Sequence, residues 1–233
     1  MAKKTFYCIG LALLVVFLML ASIFSVVHTE SFYEKEYVAN SSEKDTGMSV
    51  DDLMDTTVLL LDYMSDRRDD LDLEVTKNGV RRQAFNDREK THMVDVKALY
   101  LNARKVMWAC LAGGILLLGG LYMTDRKRFP RDLRGSLAPV TIGFILVGAA
   151  LGAMFAVNFD WFWVHLHHIL FSNDFWLLDP RTSTMINMFP EEFFLHMCSK
   201  MLMRFVIAFA ALFAVIFIVD RKARPGYCRD RIK

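Results

Sequence analysis

At 233 residues, with 54% hydrophobic side chains and 28 Lys and Arg against 26 Asp and Glu, the chain is long enough for one domain or a small polytopic bundle, and its composition leans to the membrane class. The sequence carries no nucleic-acid signature, no Gly-rich phosphate loop and no internal repeat, and its basic runs are explained by topology. Cys8 and Cys110 fall in apolar stretches, Cys198 near one end of a third and Cys228 in a basic tail, so neither an external disulfide framework nor a metal-binding spacing emerges.

Uncharged apolar runs near the ~20-residue bilayer-spanning length alternate with strongly charged stretches. They predict a mainly α fold: a single integral membrane domain over residues 1–233, a four-transmembrane-helix bundle with a cap made from two loops. The spans are expected at about residues 6–27, 104–124, 137–160 and 193–220. The first run is too long for the ~7–15-residue apolar core of a cleavable signal. The fourth has a clean run only from Phe205 to Val219, so it must extend upstream through Arg204 and Lys200. The loop at 125–136 carries Arg126, Lys127, Arg128, Arg131 and Arg134, and the tail at 221–233 is equally basic. Both are expected on the cytoplasmic side, which places both termini there and leaves residues 28–103 and 161–192 outside.

Within the first outside segment, residues 28–47 read as loop or short extended structure. Ser49 then precedes Asp51, Asp52 and an apolar pattern at Val50, Leu53, Met54, Val58, Leu61 and Tyr63, predicting an N-capped amphipathic helix. Asn78-Gly79 predicts a turn joining strands Leu73–Thr76 and Val80–Ala84. Asn86 or Asp87 is placed as the cap of a long helix running without a breaker into the second span. On it Glu89, His92, Asp95, Val96 and Leu99 share a side, and a carboxylate one turn from a histidine can fix the imidazole tautomer. In the second outside segment Trp161, Phe162 and Trp163 suit the aromatic belt at a membrane surface, with His165, His167 and His168 following directly. Ser183 is placed as an N-cap and Pro190 at the first turn of the fourth span, with Glu191 and Glu192 at its positive end.

The strings "FNDREKTHMVDVK" at 85–97, "HHILFSNDFWLLDP" at 167–180 and "MFPEEFF" at 188–194 resemble the lipoprotein intramolecular transacylase family of Gram-positive bacteria, a likeness covering nearly the whole chain. The resemblance implies a membrane acyltransferase that moves the sn-2 acyl chain of a diacylglyceryl-modified N-terminal cysteine to that cysteine's own α-amino group, giving a lyso-form lipoprotein. Its partners would be diacylglyceryl lipoproteins and membrane lipids, with no cofactor and no metal. The family's two histidines fall on His92 and His167, the expected catalytic pair.

Aminolysis of an ester needs a base near neutrality and a proton for the departing alkoxide, and imidazoles supply both. The candidates for orienting the imidazoles are Asp95 and Asp174; for oxyanion donors, Asn173, a backbone amide in the turn from Ser172 to Asp174, Lys97 and Arg104, the last also a substrate-binding residue. Phe175 and Trp176 would line the acyl entrance. Two other readings use the same region: a metal-dependent lipid hydrolase with Glu89, His92, His165 and His168 as ligands, and a non-catalytic sensor or docking platform.

Overall fold

The computed structural model describes residues 2–223, so most of the basic tail, Cys228 included, lies outside the described residues. In chain order the elements are α1 (Ala2–Val27), α2 (Glu30–Ala39), α3 (Ser42–Thr46), α4 (Val50–Met64), β1 (Glu74–Lys77), β2 (Val80–Gln83), α5 (Asp87–Thr124), α6 (Phe129–Val157), α7 (Phe159–Leu170), α8 (Thr184–Met188) and α9 (Glu191–Lys222). Among the described residues four helices, α1, α5, α6 and α9, are long and apolar enough to cross a membrane. At ~1.5 Å per residue α5 runs ~57 Å, nearly twice a hydrocarbon core. Its charge-free run Val106–Met123 is the part that matches the bilayer.

The described residues divide into two compact units, one of residues 2–22, 106–153 and 202–223, the other of residues 23–105 and 154–201. In the first, Tyr7, Leu11 and Val15 of α1 recur at helical spacing and bury against Leu118 of α5, Leu133, Leu137 and Val140 of α6, and Ile216 of α9. Glycine lets α1 and α5 approach closely. A Cβ on Gly114 would sit 2.8 Å from Leu14 Cδ2 and 3.2 Å from the Gly10 carbonyl oxygen, and one on Gly10 would sit 2.8 Å from Leu118. Gly114→Val is therefore expected to cost about 1–3 kcal/mol, read as a lower unfolding temperature in detergent, whereas Gly119→Val, with open space around it, stays near wild type. The carboxylate of Asp220 on α9, 1% exposed, accepts a hydrogen bond from the Arg134 guanidinium of α6 at 2.8 Å.

The second unit gathers both segments expected outside the membrane around one core. Phe32, Tyr37, Met48, Leu53, Phe85, Met188 and Phe193 are fully buried or nearly so. Ser49 caps α4 as expected, its hydroxyl accepting from the Asp52 N–H at 3.1 Å. The hairpin also forms, β1 pairing antiparallel to β2 with Lys77 opposite Val80. Its two-residue turn puts Asn78 and Gly79 at φ 51° and 77°, the left-handed pair that Asn-Gly adopts with least strain. Lys77 closes the hairpin onto the second segment, its ammonium donating to the Ala84 carbonyl and the Thr184 hydroxyl, each at 2.6 Å.

Two expectations need correction. Residues 28–47 are largely helical rather than loop, forming α2 and α3, because Phe32, Tyr33 and Tyr37 make a single helical stripe that buries against α4 and α9. Charged residues between them mask that stripe in the sequence. The third apolar helix stops at Val157 instead of residue 160: Asn158 turns extended and its side chain caps the separate helix α7, accepting from the Trp161 N–H at 2.9 Å. The fourth does extend upstream through Arg204 and Lys200, and Lys200 lies over the Phe32 ring at 4.3 Å.

Candidate active site

Two helix starts place the site. At the head of α5, Asn86 Oδ1 accepts from the Glu89 N–H at 3.0 Å while Glu89 Oε2 accepts from the Asn86 N–H at 2.8 Å, a reciprocal capping box. The other oxygen, Oε1, accepts from the Ser183 hydroxyl at 2.7 Å and the Met185 N–H at 2.8 Å. One fully buried carboxylate thus starts α5 and holds α8 against it, and His92 follows a turn later.

On α7 the helical rise aims histidines at carbonyls four residues back. His165 Nδ1 donates to the Trp161 carbonyl at 2.7 Å and His167 Nδ1 to the Trp163 carbonyl at 2.8 Å. A carbonyl only accepts, so both rings hold their proton on Nδ1 and leave a lone pair on Nε2. His165 stacks on Trp161, centroids 3.9 Å apart, and stays exposed; His168, also exposed, stands edge-on to Trp176 at 5.0 Å. His167 turns inward. It is 8% exposed and its ring centre lies 6.2 Å from that of His92, itself 6% exposed. Phe171 packs against both imidazoles, at 5.1 Å from His92 and 5.7 Å from His167, and Trp163 and Trp176 flank His167 at 4.4 and 4.8 Å.

These aromatic walls set the protonation state. Burial, then the neighbouring His167, push the pKa of His92 from 6.5 down to about 4, against a smaller pull upward from Asp95. Burial also lowers His167, with the Trp163 carbonyl opposing the shift. Both rings are neutral at pH 7. Two buried polar atoms here lack a hydrogen-bond partner among the described residues, His92 Nδ1 and Trp176 Nε1.

The remaining residues singled out from the sequence divide clearly. Asp95 does not bond His92; its carboxylate accepts from the Asn173 amide at 2.9 Å, and Asn173 Oδ1 in turn accepts from the Phe175 N–H at 3.1 Å. Asp174 meets the site through its backbone, its carbonyl accepting from the Arg88 guanidinium, so His167 is oriented by a main-chain oxygen instead. Lys97 is committed elsewhere, to Asp66 at 2.8 Å and over the Tyr63 ring at 4.5 Å. Arg104 sits ~18 Å farther along α5 than His92 by helical rise, with His28 and Asp66 in its electrostatic neighbourhood. Phe175 is exposed under Arg88, while Trp176 is 6% exposed against His167. Among the described residues no three His, Cys, Asp or Glu side chains converge as metal ligands, and Glu89 has both oxygens occupied by N–H and O–H donors. Phe171 and the Trp163 carbonyl escaped the sequence reading. The i to i−4 spacing of Trp163 and His167 was the available signal for the second.

Four helices long and apolar enough to cross a membrane, together with a buried imidazole pair suited to acid–base chemistry, fit a multi-pass membrane enzyme. The chain belongs to the lipoprotein intramolecular transacylase Lit family, whose sequence model matches residues 8–194. Its fold is similar to that of the membrane-integral lipoprotein intramolecular transacylase Lit from Bacillus cereus, at 23% identity and a TM-score of 0.70, covering 93% of this chain and 96% of that one. Forms of the same Bacillus cereus protein with a histidine replaced by arginine or by alanine match at 22% and 21% identity, with TM-scores of 0.71 and 0.68. They cover 96% and 94% of this chain and 96% and 91% of theirs. No curated protein matches.

Proposed function

We propose that this transacylase moves the sn-2 acyl chain of a diacylglyceryl-cysteine lipoprotein to the α-amino group of the same cysteine. The amine nitrogen forms a bond to the sn-2 ester carbonyl as its proton passes to His167 Nε2. The carbon–oxygen bond to the glyceryl sn-2 oxygen then breaks, and that oxygen takes the proton back from His167. The product is an N-acyl, lyso-glyceryl lipoprotein of unchanged mass. Nucleophile and ester belong to one molecule, so the enzyme's main work is folding them together, and such positioning is worth up to about 7–11 kcal/mol of barrier.

The observation that carries this reading is the pair of buried, neutral imidazoles 6.2 Å apart, one of them tautomerically fixed. The environments divide their roles. His167, its Nε2 lone pair free, is the general base and then acid. His92, held near a pKa of about 4, resists protonation and serves as a neutral N–H donor to the oxyanion. The basic segment from Arg126 to Arg134 favours a cytoplasmic position for that end, and hence a site on the opposite, extracytoplasmic side. Mass spectrometry of a diacylglyceryl-cysteine lipopeptide incubated with the protein tests the reaction. Relocation of one acyl chain to the amine without loss of mass is expected, and release of free fatty acid instead would replace this reading with hydrolysis.

A further inference from the structure

Beside the histidines lies a groove of about 240 Å³ that neither imidazole enters. Asp95 and Asn102 line it from α5, with Phe171, Ser172 and Asn173 on the facing loop. Phe171, which packs on both imidazoles, is the wall shared between groove and histidines. Asp95 and Asn102 lie three and ten residues beyond His92 on one helix, so His92, Asp95 and Asn102 form a polar row along a single face.

We propose that this groove binds the α-ammonium group of the substrate's N-terminal cysteine, with Asp95 as its counter-ion; this rests on the lipoprotein reading above. The half-buried Asp95 carboxylate is held by the Asn173 amide, whose own carbonyl oxygen is fixed by the Phe175 N–H. A single amide donor leaves the second carboxylate oxygen for a ligand. No Lys, Arg or His among the described residues pairs with Asp95, and the nearby Lys97 is held by Asp66. An acyl chain in the groove would lie against Ala98, Leu99, Leu170 and Phe171 but would take the half-buried Asp95 carboxylate out of water with one oxygen unpaired, and an anion would be repelled. The glyceride and its chains are neutral, so the charge complementary to Asp95 on the reacting end of the substrate is the α-ammonium. Gripped there, the nitrogen lies one helical turn from His92 and across Phe171 from His167; the ammonium first gives up one proton to water, and the free amine then passes its second proton to His167 as the amide bond forms. Asp95 is then a substrate-binding residue rather than the partner of an imidazole.

Binding of an unreactive analogue to the full-length protein tests this apart from the chemistry. The probe is a dialkyl-ether glyceryl-cysteine lipopeptide, which has no ester to transfer, in free-amine and N-acetyl forms. Wild type is expected to bind the free amine about tenfold or more tighter, in the range of charged hydrogen bonds. Asp95→Asn is expected to erase that preference, while affinity for the N-acetyl form, which also reports an intact fold, stays unchanged. Should Asp95→Asn unfold early, Asn102→Lys places a competing ammonium in the groove from the exposed side of α5 and is expected to give the same loss. Equal binding of the two analogues by wild type, or a preference that survives in the variant that folds, overturns the assignment. The transacylase reading is scored separately, by acyl relocation in the ester-linked lipopeptide on wild type.

Discussion

His167→Gln is expected to lower kcat for acyl relocation by about 10²–10⁴-fold, the usual worth of a positioned acid–base group, with KM little changed. The amide keeps volume and polarity against Phe171, Trp163 and Trp176 but supplies no basic lone pair. A pH profile separates loss of the base from loss of packing. Burial lowers the His167 pKa below its ordinary 6.5, so the ring is already in its base form at pH 6.5. Wild-type kcat should show two acid limbs, one from the substrate's own α-ammonium, whose ordinary pKa is about 7.7–8.0, and a second as pH drops beneath 6.5 through the lowered pKa of His167. In His167→Gln that second limb should vanish, leaving a low rate that follows the substrate amine alone. His92→Gln should be milder, near 10²–10³-fold, because an amide still donates a hydrogen bond to an oxyanion. If His167→Gln keeps the wild-type rate and its second acid limb, another group is the base.

The largest stability effect is expected at Glu89. Its carboxylate accepts from the Asn86 N–H, the Ser183 hydroxyl and the Met185 N–H at 2.7–2.8 Å, with no solvent exposure. Glu89→Ala strands all three donors in a dry interior and opens a void. Each buried donor left unsatisfied costs about 1–3 kcal/mol, and the three together should lower Tm by roughly 10 °C or more for a chain of this size. Unfolding in detergent should show this. Glu89→Gln should fall between, since its amide oxygen still accepts but its NH₂ faces N–H and O–H donors. Activity should drop with stability, because the 183–185 turn and the His92 helix are held by the same side chain. A Glu89→Ala protein that melts like wild type would mean that the carboxylate is not holding the two together.

Most of this was legible where one local rule dominates. The Ser49 cap, the Asn78-Gly79 turn and the charge-free runs each rest on short-range chemistry, and each element formed within a few residues of its expected place. The helices α2 and α3 were hidden because Glu30, Glu34, Lys35 and Glu36 dilute the stripe of Phe32, Tyr33 and Tyr37 that tertiary packing rewards. Within the site, the sequence could bring His92 and His167 to mind but could not choose among three histidines in four residues. Burial against Phe171 and Trp176, four and nine positions on, and the contact with His92, 75 positions back, make that choice. Asp95 misled for the same reason: helical spacing allows it to reach His92, yet the loop 78 residues away offers a better donor in Asn173.

The group that fixes His167 is a main-chain oxygen four residues back on the same helix. Hydrolytic triads delegate that task to an aspartate, which a single codon change can delete. Here no replacement of the Trp163 side chain removes the acceptor, so the working tautomer is inherited with the coil of α7 itself. Mutational scanning of the orienting position should therefore look silent toward proton placement, and the genetic vulnerability of the base narrows to the imidazole and to whatever unwinds twelve residues of backbone.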